Sequence, residues 1–180
     1  AITRLHAGGV TVVASGDLGR DEHPFLVSPA PIGDADWVIV ESTYGDRRHM
    51  ENSTVERLAD LITRTAERGG VVVIPAFAVD RTEVVLFHLH HLHLAGRLPP
   101  IPIYLDSPMA LDALKIYRNA LADEAADISR EFWGRAGVLD LPALEEVVDT
   151  QGSKRVSRRN GSAVIIAGAG MASGGRVVHH

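Results

Sequence analysis

The sequence contains no cysteine, so it can form neither a disulfide nor a thiolate metal site, and any metal has to be held by His, Asp or Glu. It contains no uninterrupted apolar run near the roughly 20 residues that a membrane-spanning helix requires. The expectation is a soluble chain with no membrane partner. Basic charge is not in excess either: 18 Lys and Arg stand against 23 Asp and Glu, a formal net charge of −5. Nothing in that balance attracts a polyanion in bulk, so a nucleic acid would have to be held by a metal, by backbone N–H groups or by a local basic patch. Internal repeats and low-complexity segments are absent as well. What is present is 180 residues with 46% apolar content, enough for one domain and a part of another. The chain starts on Ala1 rather than Met and enters strand-like sequence by Val10, the pattern of a piece excised from a longer protein.

Along the chain, strand and helix signals alternate. Residues 10–14 and 37–40 are apolar runs of strand character. Ser53 and Glu56 have capping-box spacing and predict a helix whose apolar face is Leu58, Leu61, Ile62 and Thr65, stopped by Gly69 and Gly70. Residues 71–74, all β-branched and bounded by Gly and Pro, read as a strand covered on both faces. Asp80 and Glu83 repeat the capping-box spacing and open a helix running to about Ala95. A short strand at 101–105 follows, then a helix with Ser107 as N-cap and Pro108 in its first turn. Helical sequence continues beyond that, with a break near Gly134 to Gly137, and a last apolar strand at 163–167 enters a Gly-rich turn. The alternation predicts an α/β fold, a mainly parallel sheet flanked by helices.

Chemistry concentrates where strands end, the usual location of sites in open α/β folds. The run 10–14 ends in Ser15, Gly16 and Asp17, and 37–40 ends in Glu41, Ser42, Thr43, Tyr44 and Gly45. A carboxylate just past a buried strand is held in place by the strand behind it; taken alone, Ser-Gly-Asp is an ordinary turn. Residues 168–176 form either a nest of N–H groups fit for phosphate or a tight turn without a ligand. They lack the Lys of a P-loop and the spacing of a dinucleotide fingerprint. Lys154, Arg155, Arg158 and Arg159 read as a solvated basic face. Within the run 88–93, only His88 with His91 and His90 with His93 are three apart and able to meet on a helix. With Leu86, Leu89 and Leu92 facing a core, that run reads as a polar helix face.

These spellings resemble those of one family, the metallo-β-lactamase-fold nucleases that carry a β-CASP domain. In that family an S-G-D-x-x-R turn supplies a metal-bridging Asp and an E-S-T-Y-G segment supplies the acidic residue of the first β-CASP motif; Asp17 and Glu41 match them. Residues 75–81, 106–110 and 170–176 are similar to later family segments, in order. The resemblance implies residues 1–45 as the end of a metallo-β-lactamase αββα domain and 46–180 as most of a Rossmann-like β-CASP domain. It also implies a cytoplasmic, zinc-dependent, RNA-processing hydrolase. Asp17 is then metal ligand and catalytic residue, Glu41 the second catalytic residue, and His49, Arg81, Ser173 and Arg176 contact substrate. Two zinc ions are expected in the full-length enzyme, but the family's H-x-H-x-D-H loop and its other His ligands are absent here. The piece alone is therefore expected to be inactive. RNA is favoured over DNA because the acidic position is Glu. A homodimer is one way to cover apolar strands 10–14 and 37–40. Two alternatives stand beside this reading: a non-catalytic RNA-binding or scaffold paralogue, and a nucleotide-binding α/β domain using residues 168–176.

Overall fold

The computed structural model describes residues 2–19, 22–47 and 54–180, in two compact units, Ala1–Glu51 and Asn52–His180. The resemblance places the boundary at 45/46.

The first unit is a three-stranded sheet in the order β1-β2-β3. Strands β1 (Thr3–Ala7) and β2 (Val10–Ala14) form an antiparallel hairpin, and β3 (Trp37–Ile39) runs parallel to β2. Strand β1 was not predicted: Arg-Leu-His-Ala alternates polar and apolar, but over four residues only and with Leu5 as its one large apolar side chain. The side chain of Asp36 fixes the register of β3 by accepting from the Thr11 amide at 2.7 Å, while its own amide donates back to Thr11 at 3.0 Å. Val13 and Phe25 are fully buried, yet Trp37, Val38 and Ile39 are 69%, 55% and 65% exposed. Amides of β3 are therefore expected to exchange with solvent orders of magnitude faster than those of the buried strand at 163–167, because few apolar contacts oppose local opening. Hydrogen exchange on a monomeric sample of this chain measures it, and equal protection of the two strands would contradict it.

The second unit is a four-stranded sheet, all parallel, in the order β4-β7-β5-β6, formed by Val71–Pro75, Ala163–Ala167, Ile103–Asp106 and Leu144–Glu146 respectively. Helices α1 (Thr54–Glu67), α2 (Arg81–Leu94), α3 (Pro108–Ala122) and α4 (Thr150–Ser157) surround it. The α/β architecture with a parallel sheet is thus as the alternation predicts. Val147, Val156, Ile165, Ala167 and Val177 form a core with Val73 and Tyr104 against it. On the parallel register Val73, Tyr104 and Ile165 lie in one row, so their neighbours Val72, Ile103 and Val164 face the other side.

Three local expectations need correction. Strand β4 lies at the sheet edge and Val71 is exposed; the strand buried along its whole length is β7. A short apolar run has the same composition at an edge and in the centre, and only strand order separates the two. Helix α1 buries Ala59, Ile62 and Thr65 and leaves Leu61 exposed, a face rotated from the predicted one. Its proposed N-cap, Ser53, lies outside the described residues. Helix α2 begins without the capping box: Asp80 has φ 70° and makes no side-chain cap bond, whereas an N-cap needs extended backbone. Helix α3 does begin as predicted, with Ser107 Oγ accepting from the Ala110 amide at 3.4 Å and Pro108 in the first turn.

Two histidines of the run are engaged structurally. His90 Nδ1 lies 2.5 Å from the Asp140 carbonyl and His91 Nδ1 lies 2.9 Å from that of Phe87. Leu86, Leu89 and Leu92 are buried as expected.

Candidate functional site

In the first unit, Ser15 ties the two strand ends together. Its amide donates to the Ile39 carbonyl at 2.8 Å, its hydroxyl accepts from the Glu41 amide at 3.0 Å, and the hydroxyl donates to the Gly16 carbonyl at 2.7 Å. The Asp17 turn and Glu41 are thereby mounted side by side at the ends of β2 and β3. The Thr43 amide donates to Glu41 Oε2 at 2.9 Å. That bond, the Thr43 hydroxyl and, on the other flank, the Leu18 amide hold the Glu41 carboxyl below its ordinary pKa, against a smaller opposing effect of desolvation. Glu41 is thus kept as a charged acceptor and not as a proton donor. Asp17 is exposed, and among the described residues its carboxylate has no hydrogen-bond or ion-pair partner. It borders a cavity of about 340 Å³ that Ile2, Leu18, Pro29 and Ala30 also line. Sequence reasoning thus names two carboxylates that the fold brings to one edge. His49 lies outside the described residues.

In the second unit, the carboxyl ends of β4, β7 and β5 are level, since Pro75, Ala167 and Asp106 pair across the sheet. The loops that follow converge there. The Ala76 amide donates to the Ala167 carbonyl at 3.0 Å. In the Gly-rich loop, Gly175 has φ 76°, and a Cβ on it would lie 2.7 Å from the Gly168 carbonyl oxygen. Only glycine fits that turn. Ser173 is exposed at the loop and Arg81 is exposed in the first turn of α2, neither with a partner among the described residues. Arg176 is placed differently. Its guanidinium turns inward, donating to Asp106 Oδ1 and, at 3.2 Å, to the Val147 carbonyl.

Asp106 is the hub of this edge, and sequence reasoning gave it no role. It is fully buried and, besides Arg176, takes the Ser153 hydroxyl at 2.5 Å and His180 Nε2 at 2.7 Å on Oδ2. His180 Nδ1 in turn lies 3.0 Å from Ser157 Oγ. One carboxylate so fastens α4 and both the loop and the segment after it to the end of β5. The only early signal was that Asp106 ends a strand in a stretch similar to a family segment.

Glu83 is a second residue missed. It is fully buried, and neither oxygen has a hydrogen-bond partner among the described residues. Burial raises its pKa to about 7, with the charge of Asp80 adding to the rise; the amides of Glu83 and Asp80 pull the other way without reversing it. Burial, together with the charges of Asp80 and Glu83, also pushes the Tyr117 hydroxyl up to about 12. Because the folded pKa of Glu83 exceeds the unfolded value, its contribution to stability is complete below about pH 4.5 and is lost as pH rises through about 7. Glu83→Gln cannot ionise. The stability of the variant relative to the parent is expected to rise by something on the order of 1–3 kcal/mol between pH 4.5 and 8. Denaturant unfolding at the two pH values measures this, and parallel pH profiles would contradict it.

Comparison with known proteins agrees with this architecture. The Beta-Casp domain profile matches residues 82–180. A ribonuclease of Thermus thermophilus is 40% identical over 174 residues, covering 96% of this chain and 40% of that protein. The transcription termination factor FttA of Methanosarcina mazei is 30% identical over the whole chain, which spans 29% of it. The endoribonuclease YSH1 of Yarrowia lipolytica is 32% identical over 73% of the chain and 16% of its own length. This chain spans well under half of each of these relatives. With the matched domain coinciding with the parallel-sheet unit from the second residue of α2 onward, the chain belongs to the β-CASP family.

Proposed function

We propose that this chain is part of a metal-dependent ribonuclease of the cytoplasm that processes RNA by hydrolysing phosphodiester bonds. Its first unit is then a segment of a metallo-β-lactamase-like domain, and its second a β-CASP domain that guides the strand. The observation that carries this reading is the mounting of Asp17 and Glu41 side by side at the ends of β2 and β3, in a chain similar along its length to proteins named as ribonucleases.

The residues present fit a metal in part. Asp17 offers a free carboxylate of the kind that zinc accepts, while among the described residues no group of three or more His, Asp and Glu side chains could hold an ion. Further ligands would have to come from elsewhere in the longer protein. Zinc, when bound, supplies Lewis acidity toward a phosphoryl oxygen and acidifies water. The chain's own contributions are distinct from that. Asp17 supplies charge to the metal. Glu41, kept ionised by Thr43 and Leu18, accepts a hydrogen bond from an imidazole N–H and holds that ring in one tautomer. Arg81, the Ser173 hydroxyl and the amides of the Gly-rich loop meet phosphates of the strand, while Arg176 sets the loop's position from beneath.

RNA cleavage by the full-length protein, before and after chelation and with zinc restored, tests the reading. Cleavage that is lost on chelation and returns with zinc supports it; cleavage indifferent to chelator, or none at all, overturns it.

A further inference from the structure

Phe77 stands at the carboxyl end of the β4 edge, in the loop between β4 and α2, and its mounting is unusually firm for an exposed aromatic. Its carbonyl accepts from both the Thr82 amide at 3.2 Å and the Thr82 hydroxyl at 2.8 Å. Its ring edge lies so close to Gly170 that a Cβ there would fall 2.7 Å from Cδ2 and 2.9 Å from Cε2. The backbone is thus pinned from one side and the ring from another. Even so the residue is 55% exposed, and among the described residues the ring has no aromatic or cationic partner. Such a side chain gains nothing for the core, and a smaller residue would fill the space against Gly170 without leaving an apolar face in water.

The surroundings select what would cover it. Arg81, four residues on in the first turn of α2, is exposed and unpaired among the described residues, and the Gly-rich loop passes directly beside the ring. A flat apolar face with Gly170 of the Gly-rich loop against its edge and an exposed Arg four residues along the chain matches a single-stranded nucleotide: base on the ring, phosphate on the cation. An apolar protein surface would match the ring but leave the cation unanswered.

We propose that Phe77 is a stacking platform for one base of single-stranded RNA, with Arg81 taking an adjoining phosphate. This rests on the RNA-nuclease reading and names a substrate contact within it. Stacking is tolerant of base identity, since every base presents a π-face, so the contact serves to hold the strand and not to read its sequence.

The test uses the full-length protein, first stripped of metal so that binding is read without turnover, with a fluorescein-labelled single-stranded oligouridine as probe. Phe77→Ala is expected to weaken binding by roughly 5- to 100-fold. Phe77→Trp should retain it, and Phe77→Leu, which keeps apolar bulk without a π-face, should lose most of it. In a scan of abasic substitutions along the oligonucleotide, one position should weaken the parent by a similar factor and leave Phe77→Ala unaffected, because the base and the ring report on one contact. With metal restored, the loss should appear mainly in KM. A Phe77→Leu protein that binds like the parent would show the ring to be mere apolar cover, and a Phe77→Ala protein that binds and cleaves like the parent would show no contact; either result overturns the proposal while leaving the nuclease reading intact. Failure of the parent itself to bind or cleave RNA removes both. Should Phe77→Ala prove unstable, the Trp and Leu variants decide the matter without it.

Discussion

Asp106→Ala is expected to destabilise the parallel-sheet unit by about 3–5 kcal/mol, as breaking a buried ion pair from one side does. The carboxylate is fully buried and answers Arg176, Ser153 and His180. Without it the Arg176 guanidinium, 22% exposed, keeps only the Val147 carbonyl, and the buried His180 loses the acceptor for Nε2. Asp106→Asn, which retains an acceptor for Ser153 but no charge, should fall between the parent and the Ala variant. Removing both members of the pair in Asp106→Ala with Arg176→Met should cost less than the sum of the two single changes, because no uncompensated charge is left buried. Denaturant midpoints at unchanged slope give these values. A loss under about 1 kcal/mol for Asp106→Ala would mean that the cluster does not hold the loop.

That cluster also shows what a sequence conceals. Asp106 meets partners 47, 70 and 74 residues away, and no local pattern announces a contact between the end of one strand and the far side of a Gly-rich loop. Arg176, read as a residue for substrate, is turned inward for the same reason. Local signals fared better. Ser107 and Pro108 start α3 as their spacing predicts, and the apolar residues at 163–167 form a strand because β-branched runs fit a pleated surface covered on both faces. Asp80 and Glu83 had the capping-box spacing, but the φ of 70° at Asp80 forbids the cap, and Glu83 is buried instead. Strand β6 interrupts a stretch expected to be helical, and the bounds of helix α4 within it were not legible. Leu-Glu-Glu has no alternation to detect, and Thr150–Ser157 holds one Gly, two Ser and a lone large apolar residue, Val156, so its helix depends on the Asp149 side chain accepting from the Gly152 amide at 2.6 Å and on packing. The placing of Asp17 and Glu41 past strand ends was legible because a strand-like run precedes each, whereas the roles expected of them came from the family resemblance and not from local pattern.

The largest effect on activity is expected at Asp17. In the full-length protein Asp17→Ala removes a carboxylate that, among the described residues, is engaged with no other side chain, so the fold loses little. On the proposed reading, a metal held by Asp17 would lose one of its charged ligands. Turnover of RNA should fall by something like 10³-fold or more, together with loss of bound zinc. Glu41→Gln supplies the contrast. It keeps the size and one acceptor for the Thr43 amide but loses the charge that would fix an imidazole, so metal should remain while turnover falls roughly 10²-fold. Zinc content and RNA cleavage rate, measured together on the parent and on these two variants, bear most directly on the claim that the two strand ends form the acidic part of a nuclease site. The prediction is loss of both metal and cleavage in Asp17→Ala and loss of cleavage alone in Glu41→Gln; an Asp17→Ala protein that keeps its zinc and cleaves RNA at the parent's rate would contradict it.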